Sequence, residues 1–209
     1  MRVGPGPRRR SSMLRRGASL LALSIVGRAT VYPLESAPRF VGPVAPSLRA
    51  AVERAVNEAT ARLGHEACDG IFRDFRDADG RPLSSSLAEL KLTARAFLQA
   101  IRFADGERHV VCANTDVLAF THPRTDIVYL CGTRFALFAH ANPRLGAALL
   151  LHEELHALGL GENPPPSQEI TMRVLAACRA PARTAGQIPT DAPRHAYGCG
   201  PFPAVGGLE

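Results

Sequence analysis

LLLHEELHALGLGEN, residues 149–163, is the stretch on which the reading of this chain turns. Asn142 and Pro143 stand just ahead of it as a cap and a first-turn residue, and Gly159 closes it, so the pattern predicts one long helix from Pro143 to about Leu158. Residues four apart share a helical face, which sets His152 and His156 side by side. Leu145, Ala148, Leu149, Leu155 and Leu158 supply enough apolar surface to bury such a helix. A buried pair of histidines next to Glu153 and Glu154 is costly unless a metal or a full set of hydrogen bonds compensates it.

The spacing suits zinc chemistry. Two imidazoles on one face can bind a tetrahedral Zn²⁺, and Glu153, about 100° round the helix from His152, is placed to reach an open coordination position. There a general base is needed, because zinc lowers the pKa of bound water towards ~7 and a carboxylate then takes its proton. The competing reading is a chance match on a helix rich in Ala, Leu and His. The apolar flanks and the glycines downstream favour the metal.

The run HEELHALGLGE, residues 152–162, resembles the extended zinc signature of the metzincin metallopeptidases, H-E-x-x-H-x-x-G-x-x-H, in the form found in matrixins. The resemblance implies a zinc peptidase in which His152 and His156 are ligands, Glu153 is the catalytic base and Gly159 turns the chain away. Glu162 stands where that signature has its third histidine, a departure that some small bacterial zincins share. Gly159 and Gly161 would allow the chain to fold the Glu162 carboxylate back to the metal. Glu169 is the rival third ligand, in the manner of gluzincins, although an acid at the start of a helix also serves the helix dipole. Met172 follows the zinc segment too closely to make a Met-turn.

Outward from the motif, the expected fold class is α+β: a small zincin-like domain with a packing helix, a small antiparallel sheet, the active-site helix and a C-terminal helix. Leu48, Ala51, Val52, Ala55, Val56, Ala59 and Leu63 recur at the spacing of one helical face after Ser47, read as the cap. Asp79-Gly80 marks a turn. Two hairpins are expected between Phe97 and Cys131: AFLQAIRF with RHVVCA, and VLAF with DIVYLC. Pro164-Pro-Pro166 and Ser167 start a final helix in which Ile170, Val174 and Cys178 share a face. The domain is expected at residues 47–180, after a signal peptide or basic leader at 1–29 and a linker at 30–46, with a Pro/Gly-rich tail at 181–209.

Charge separates the leader from the rest. The formal net charge is +6, but seven arginines and no acid lie before Thr30, so without that segment the balance is −1. The basic character belongs to the leader and argues against a nucleic-acid partner. Residues 18–26 form a short apolar run followed by Gly27-Arg-Ala29, the layout of an exported chain cleaved after Ala29. That run is too short to span a bilayer, and no stable membrane span is expected. Five cysteines suit export, with Cys112–Cys131 and Cys68–Cys178 as preferred bridges and Cys199 free. If the leader is not a signal, the location becomes cytoplasmic and the cysteines reduced thiols.

His65, His109, His122 and His140 have no ligand spacing, His195 and Tyr197 read as surface residues, and Asp74 and Asp77 read as a solvated face. These features point to an exported zinc metallopeptidase acting on a peptide or protein substrate, with Zn²⁺ as cofactor and nothing to specify an oligomeric state. Two alternatives stay open: a zinc-stabilised secreted binding module without turnover, and a metal-free, disulfide-stabilised interaction domain.

Overall fold

A computed structural model describes Met1, residues 37–162 and residues 164–179. The expected signal peptide, the tail, Cys199, His195 and Tyr197 lie outside the described residues.

The fold is α+β, with seven helices and a four-stranded mixed sheet among the described residues. In chain order the elements are β1 (Arg39–Val41), α1 (Pro46–Arg62), α2 (Glu66–Asp74), α3 (Leu83–Leu90), α4 (Ala94–Ala100), β2 (Arg102–Asp105), β3 (Ala119–Thr121), β4 (Ile127–Leu130), α5 (Gly132–Ala141), α6 (Pro143–Ala157) and α7 (Ser167–Ala177). The helix that carries the zinc-like motif is α6, and it is the centre of the structure. It packs on α1, α5 and α7 and also meets α4, β3 and β4. Every residue from Gly146 to Ala157 except the half-buried Leu149 is buried, so α6 is a core helix rather than an amphipathic surface one.

Small residues allow this crowding. α1 turns Leu48, Ala51, Val52, Ala55, Val56 and Ala59 inward, the face expected from its periodicity. It starts two residues earlier than expected: Pro46 occupies the first turn, Ala45 is the cap, and Ser47 lies inside the helix. A Cβ at Gly146 would stand 2.8 Å from Ala139 Cβ and 3.7 Å from Ala55 Cβ. Only glycine therefore permits α6 to approach α5 so closely.

The sheet differs from expectation in two respects. Its order is β1-β2-β4-β3, with β2 parallel to both β1 and β4, and only β3–β4 antiparallel. The second predicted hairpin exists, in the register Ala119↔Leu130, Phe120↔Tyr129 and Thr121↔Val128. The first does not. Ala94, Phe97, Leu98 and Ile101 are buried at helical spacing, and Thr93 Oγ1 caps α4 by accepting from the Ala96 amide at 3.2 Å. At Gly106 the amide donates to the Leu130 carbonyl at 2.7 Å, which draws the chain onto β4 instead of folding it back on β2. Residues Val110–Ala113 then form a short 3₁₀ turn.

The expected linker also contains an ordered part. β1 is an edge strand whose Phe40 ring lies 6.3 Å from that of Phe103, with the Arg49 guanidinium 4.1 Å above it. Asp77 is another correction. Its carboxylate is buried, accepts from the Asp79 and Arg81 amides at 3.0 and 2.9 Å, and pairs with the Arg81 guanidinium. A carboxylate with this many donors is stable away from water, and it shapes the turn at residues 77–81.

Two disulfides close the domain. Cys112 in the 3₁₀ turn is bonded to Cys131 at the end of β4, and Cys68 of α2 to Cys178 after α7. Arg62 of α1 donates to the Cys178 carbonyl, so the end of α7 is held by a covalent and a polar tie. No helix among the described residues is long and apolar enough to cross a membrane. The Cys68–Cys178 bridge spans 110 residues. Replacing both cysteines by Ala is therefore expected to cost about 2–5 kcal/mol of unfolding free energy, read from denaturant midpoints without reductant. An unchanged midpoint would mean that the bridge does not constrain the unfolded chain.

Candidate metal centre

The site begins with how α6 ends. Gly159 has φ 114°, a conformation that favours glycine. Its amide donates to the His156 carbonyl at 2.8 Å and the Leu160 amide to the Leu155 carbonyl at 3.0 Å, the paired bonds of a Schellman cap. A side chain at 159 would also meet Asp77 Cβ at 3.4 Å and Arg124 Nε at 3.5 Å. The cap reverses the chain and sets the Leu160 carbonyl 2.8 Å from His156 Nδ1, which donates to it. Gly161 does not take a positive φ, so of these two glycines only Gly159 adopts a conformation that favours glycine.

His152, His156 and Glu162 come together at this end of the helix. The imidazole centroids are 4.7 Å apart, the two Nε2 atoms 2.9 Å apart, and Glu162 Oε1 lies 3.4 Å from His156 Nε2. All three ligand atoms fall within 4.8 Å of one another. His152 and His156 are 0% and 1% exposed. The outer nitrogens are engaged as well: His152 Nδ1 lies 2.8 Å from Thr171 Oγ1, and His156 Nδ1 bonds to Leu160 as above.

These residues fit a metal ion. Two imidazoles and a carboxylate are the protein ligands of a three-ligand zinc centre, and ligands at 2.0–2.1 Å in tetrahedral geometry stand about 3.3 Å apart. Two of the three separations, 2.9 and 3.4 Å, bracket that value, and all three lie within 4.8 Å. Glu162 Oε1 is a buried atom that meets no well-aligned hydrogen-bond donor, a state that a cation would relieve.

Electrostatics agree with a ligand set. Burial, and then the charge of His156, push the His152 pKa well below the usual histidine value, keeping the ring neutral as a metal ligand requires. His156 moves the other way. Burial alone would lower its pKa, but the Glu162 carboxylate, the Glu153 charge and the Leu160 carbonyl together outweigh it and raise it. His156 and Glu162 thus form the polar pair that a cation would enter.

Glu153 is fully buried beside His152 on α6. Glu169 does not join the cluster: its side chain is 54% exposed, 3.9 Å from Arg173, in the first turn of α7. α7 itself starts at Ser167 after the prolines, as expected, with Pro166 in the cap position, and it buries Ile170, Val174 and Cys178 together. His65, His109, His122 and His140 belong to no ligand cluster among the described residues. Thr171 is the residue that sequence reasoning missed. It lies on the buried face of α7 beside Ile170 and Val174, and a hydroxyl placed in an apolar stripe was the one available signal.

Glu154 is a different kind of group. It is 0% exposed and neither of its carboxylate oxygens has a hydrogen-bond partner. Burial, and then the nearby charge of Asp69, drive its pKa well above the usual carboxylate range, so it is held as the neutral acid.

Comparison with family models, curated proteins and solved structures gave no match to this chain. The site therefore stands on its own geometry.

A raised carboxyl pKa means that the folded protein keeps a proton that the unfolded chain releases. The stability of metal-free protein should then fall, relative to Glu154→Gln, by about 1.4 kcal/mol per pH unit as pH rises above the carboxylate range, until the folded protein also loses that proton. Urea unfolding of both proteins with chelator at about pH 5, 6 and 7 measures the difference. Parallel stability curves would show that Glu154 ionises freely.

Proposed function

We propose that the chain is a zinc-dependent metallopeptidase that hydrolyses peptide bonds in a peptide or protein substrate in an oxidising compartment outside the cytoplasm. The observation that carries this reading is the buried His152, His156 and Glu162 cluster, with Glu153 next to His152 on the same helix. In this reading the three clustered residues would hold Zn²⁺, which when bound polarises water and the substrate carbonyl. The Glu153 carboxylate accepts the proton of the attacking water and hands it to the nitrogen of the departing amine. Burial strengthens its interaction with that proton, since little solvent competes for it. Thr171 and the Leu160 carbonyl hold the two imidazoles in fixed orientation. The two disulfides support the oxidising setting.

A second reading has one observation in its favour. His152, Glu153 and His156 are buried almost completely, whereas a catalytic centre needs a path for substrate. A zinc-stabilised secreted module without turnover would need no such path.

Glu153→Gln separates the two. The variant should retain one zinc per chain by metal analysis and lose about 100-fold to 10,000-fold in kcat/KM on peptides selected from a mixed library. A wild-type protein that holds zinc and cleaves nothing in the library is the stabilised module. Protein purified without chelator that holds no metal is the metal-free interaction domain.

The ligand assignment has its own measurement. Glu162→Gln removes a direct ligand and should weaken zinc affinity in a competitive chelator titration by more than about 100-fold, beyond what loss of an outer hydrogen-bond partner produces. Glu169→Gln should leave affinity unchanged and cost about 0.3–1 kcal/mol of stability through the helix dipole. The reverse ranking would transfer the third-ligand role to Glu169.

A further inference from the structure

The two histidines of the cluster are held by unlike partners. His156 Nδ1 faces a backbone carbonyl at 2.8 Å, which accepts only. That bond keeps a proton on Nδ1 and turns Nε2 towards the cluster, where it presents a lone pair once a cation displaces any proton there. His152 Nδ1 faces the Thr171 hydroxyl at 2.8 Å, which both donates and accepts. His152 therefore keeps its outer hydrogen bond whichever of its nitrogens carries the proton.

This versatility matters because His152 Nε2 also lies 2.9 Å from His156 Nε2. Without a cation, a proton on one of those nitrogens makes a bond between the rings. With a cation, both nitrogens must present lone pairs and the His152 proton must reside on Nδ1. A carbonyl opposite His152 would allow only the second state and an ether-like acceptor would not help the first. A hydroxyl serves both by rotating about its own bond. Thr171 is 5% exposed, so no bulk water replaces it, and its helix is tied to α2 by the Cys68–Cys178 disulfide.

We propose that Thr171 is a positioning residue of the metal centre: its hydroxyl, 2.8 Å from His152 Nδ1, orients the His152 ring for the cation and pairs with Nδ1 whichever ring nitrogen carries the proton. The proposal rests on the metal-binding reading of His152, His156 and Glu162. It concerns affinity and ring state, not turnover.

The test uses the full chain in wild-type form and as Thr171→Val, which preserves shape without the hydroxyl, and Thr171→Ser, which retains the hydroxyl. Zinc affinity is measured by chelator competition, and the metal-free melting temperature is taken alongside. Thr171→Val should bind zinc about 10–100-fold more weakly than wild type, and Thr171→Ser should recover most of that loss. Equal affinity in wild type and the Val variant, or equal losses in Val and Ser, would overturn the proposal. A second measurement stands even if the Val variant does not fold: the ¹⁵N shifts of the His152 ring in zinc-bound wild type should place the proton on Nδ1, and a proton on Nε2 would overturn the proposal. A wild type that binds no zinc refutes the metal reading itself and the positioning role with it.

Discussion

The burial of α6 on every side is the constraint from which the rest of this structure follows. A core helix normally carries apolar residues only, yet four polar residues within one stretch of this one, His152, Glu153, Glu154 and His156, are at most 1% exposed. Each polar group removed from water must find a partner or change its charge. Both solutions occur here. His152 is kept neutral and His156 is engaged with Glu162 and the Leu160 carbonyl. Glu154 gives up its charge.

The surroundings of α6 serve that constraint. Alanines of α1 and Gly146 let the neighbouring helices close over it. The Schellman cap at Gly159 returns the chain so that one carbonyl and one carboxylate, from Leu160 and Glu162, reach the same imidazole. The buried Asp77 lies behind that cap, with Arg124 3.7 Å from its carboxylate and Gly159 packed against both. α7 adds Thr171 from the other side and is anchored by the Cys68–Cys178 bridge and by Arg62. Parts of the chain that are far apart in sequence thus converge on two histidine rings.

Burial also shapes what such a centre can do. In a water-poor surrounding, charge–charge and charge–dipole interactions are stronger than at a surface, which favours tight ion binding and an effective carboxylate base. It equally restricts entry. The tension between affinity and access is the physical content of the choice between a peptidase and a stabilised module.

Much of this was legible in the residues themselves. The span of α6, its end at Gly159, the inward face of α1, the β3–β4 hairpin and the pairing of His152 with His156 are local, set by periodicity and by the conformational demands of single residues. The bridge from Cys68 to Cys178 was also anticipated. Short elements were not: α2, α3 and α5 run for only 8–10 residues, too few turns for a helical period to stand out, and AFLQAIRF reads equally as a strand until Thr93 caps a helix ahead of it. The sheet order, with β2 parallel to β1 and β4, depends on contacts distant in sequence, as do the burial of Asp77, the neutral state of Glu154 and the hydroxyl of Thr171 against His152. Spacing along the chain therefore determined which side chains could act together. Which groups surround them, and in what state of charge, only tertiary packing decided, because desolvation and hydrogen-bond partners are properties of an assembled environment rather than of any one segment.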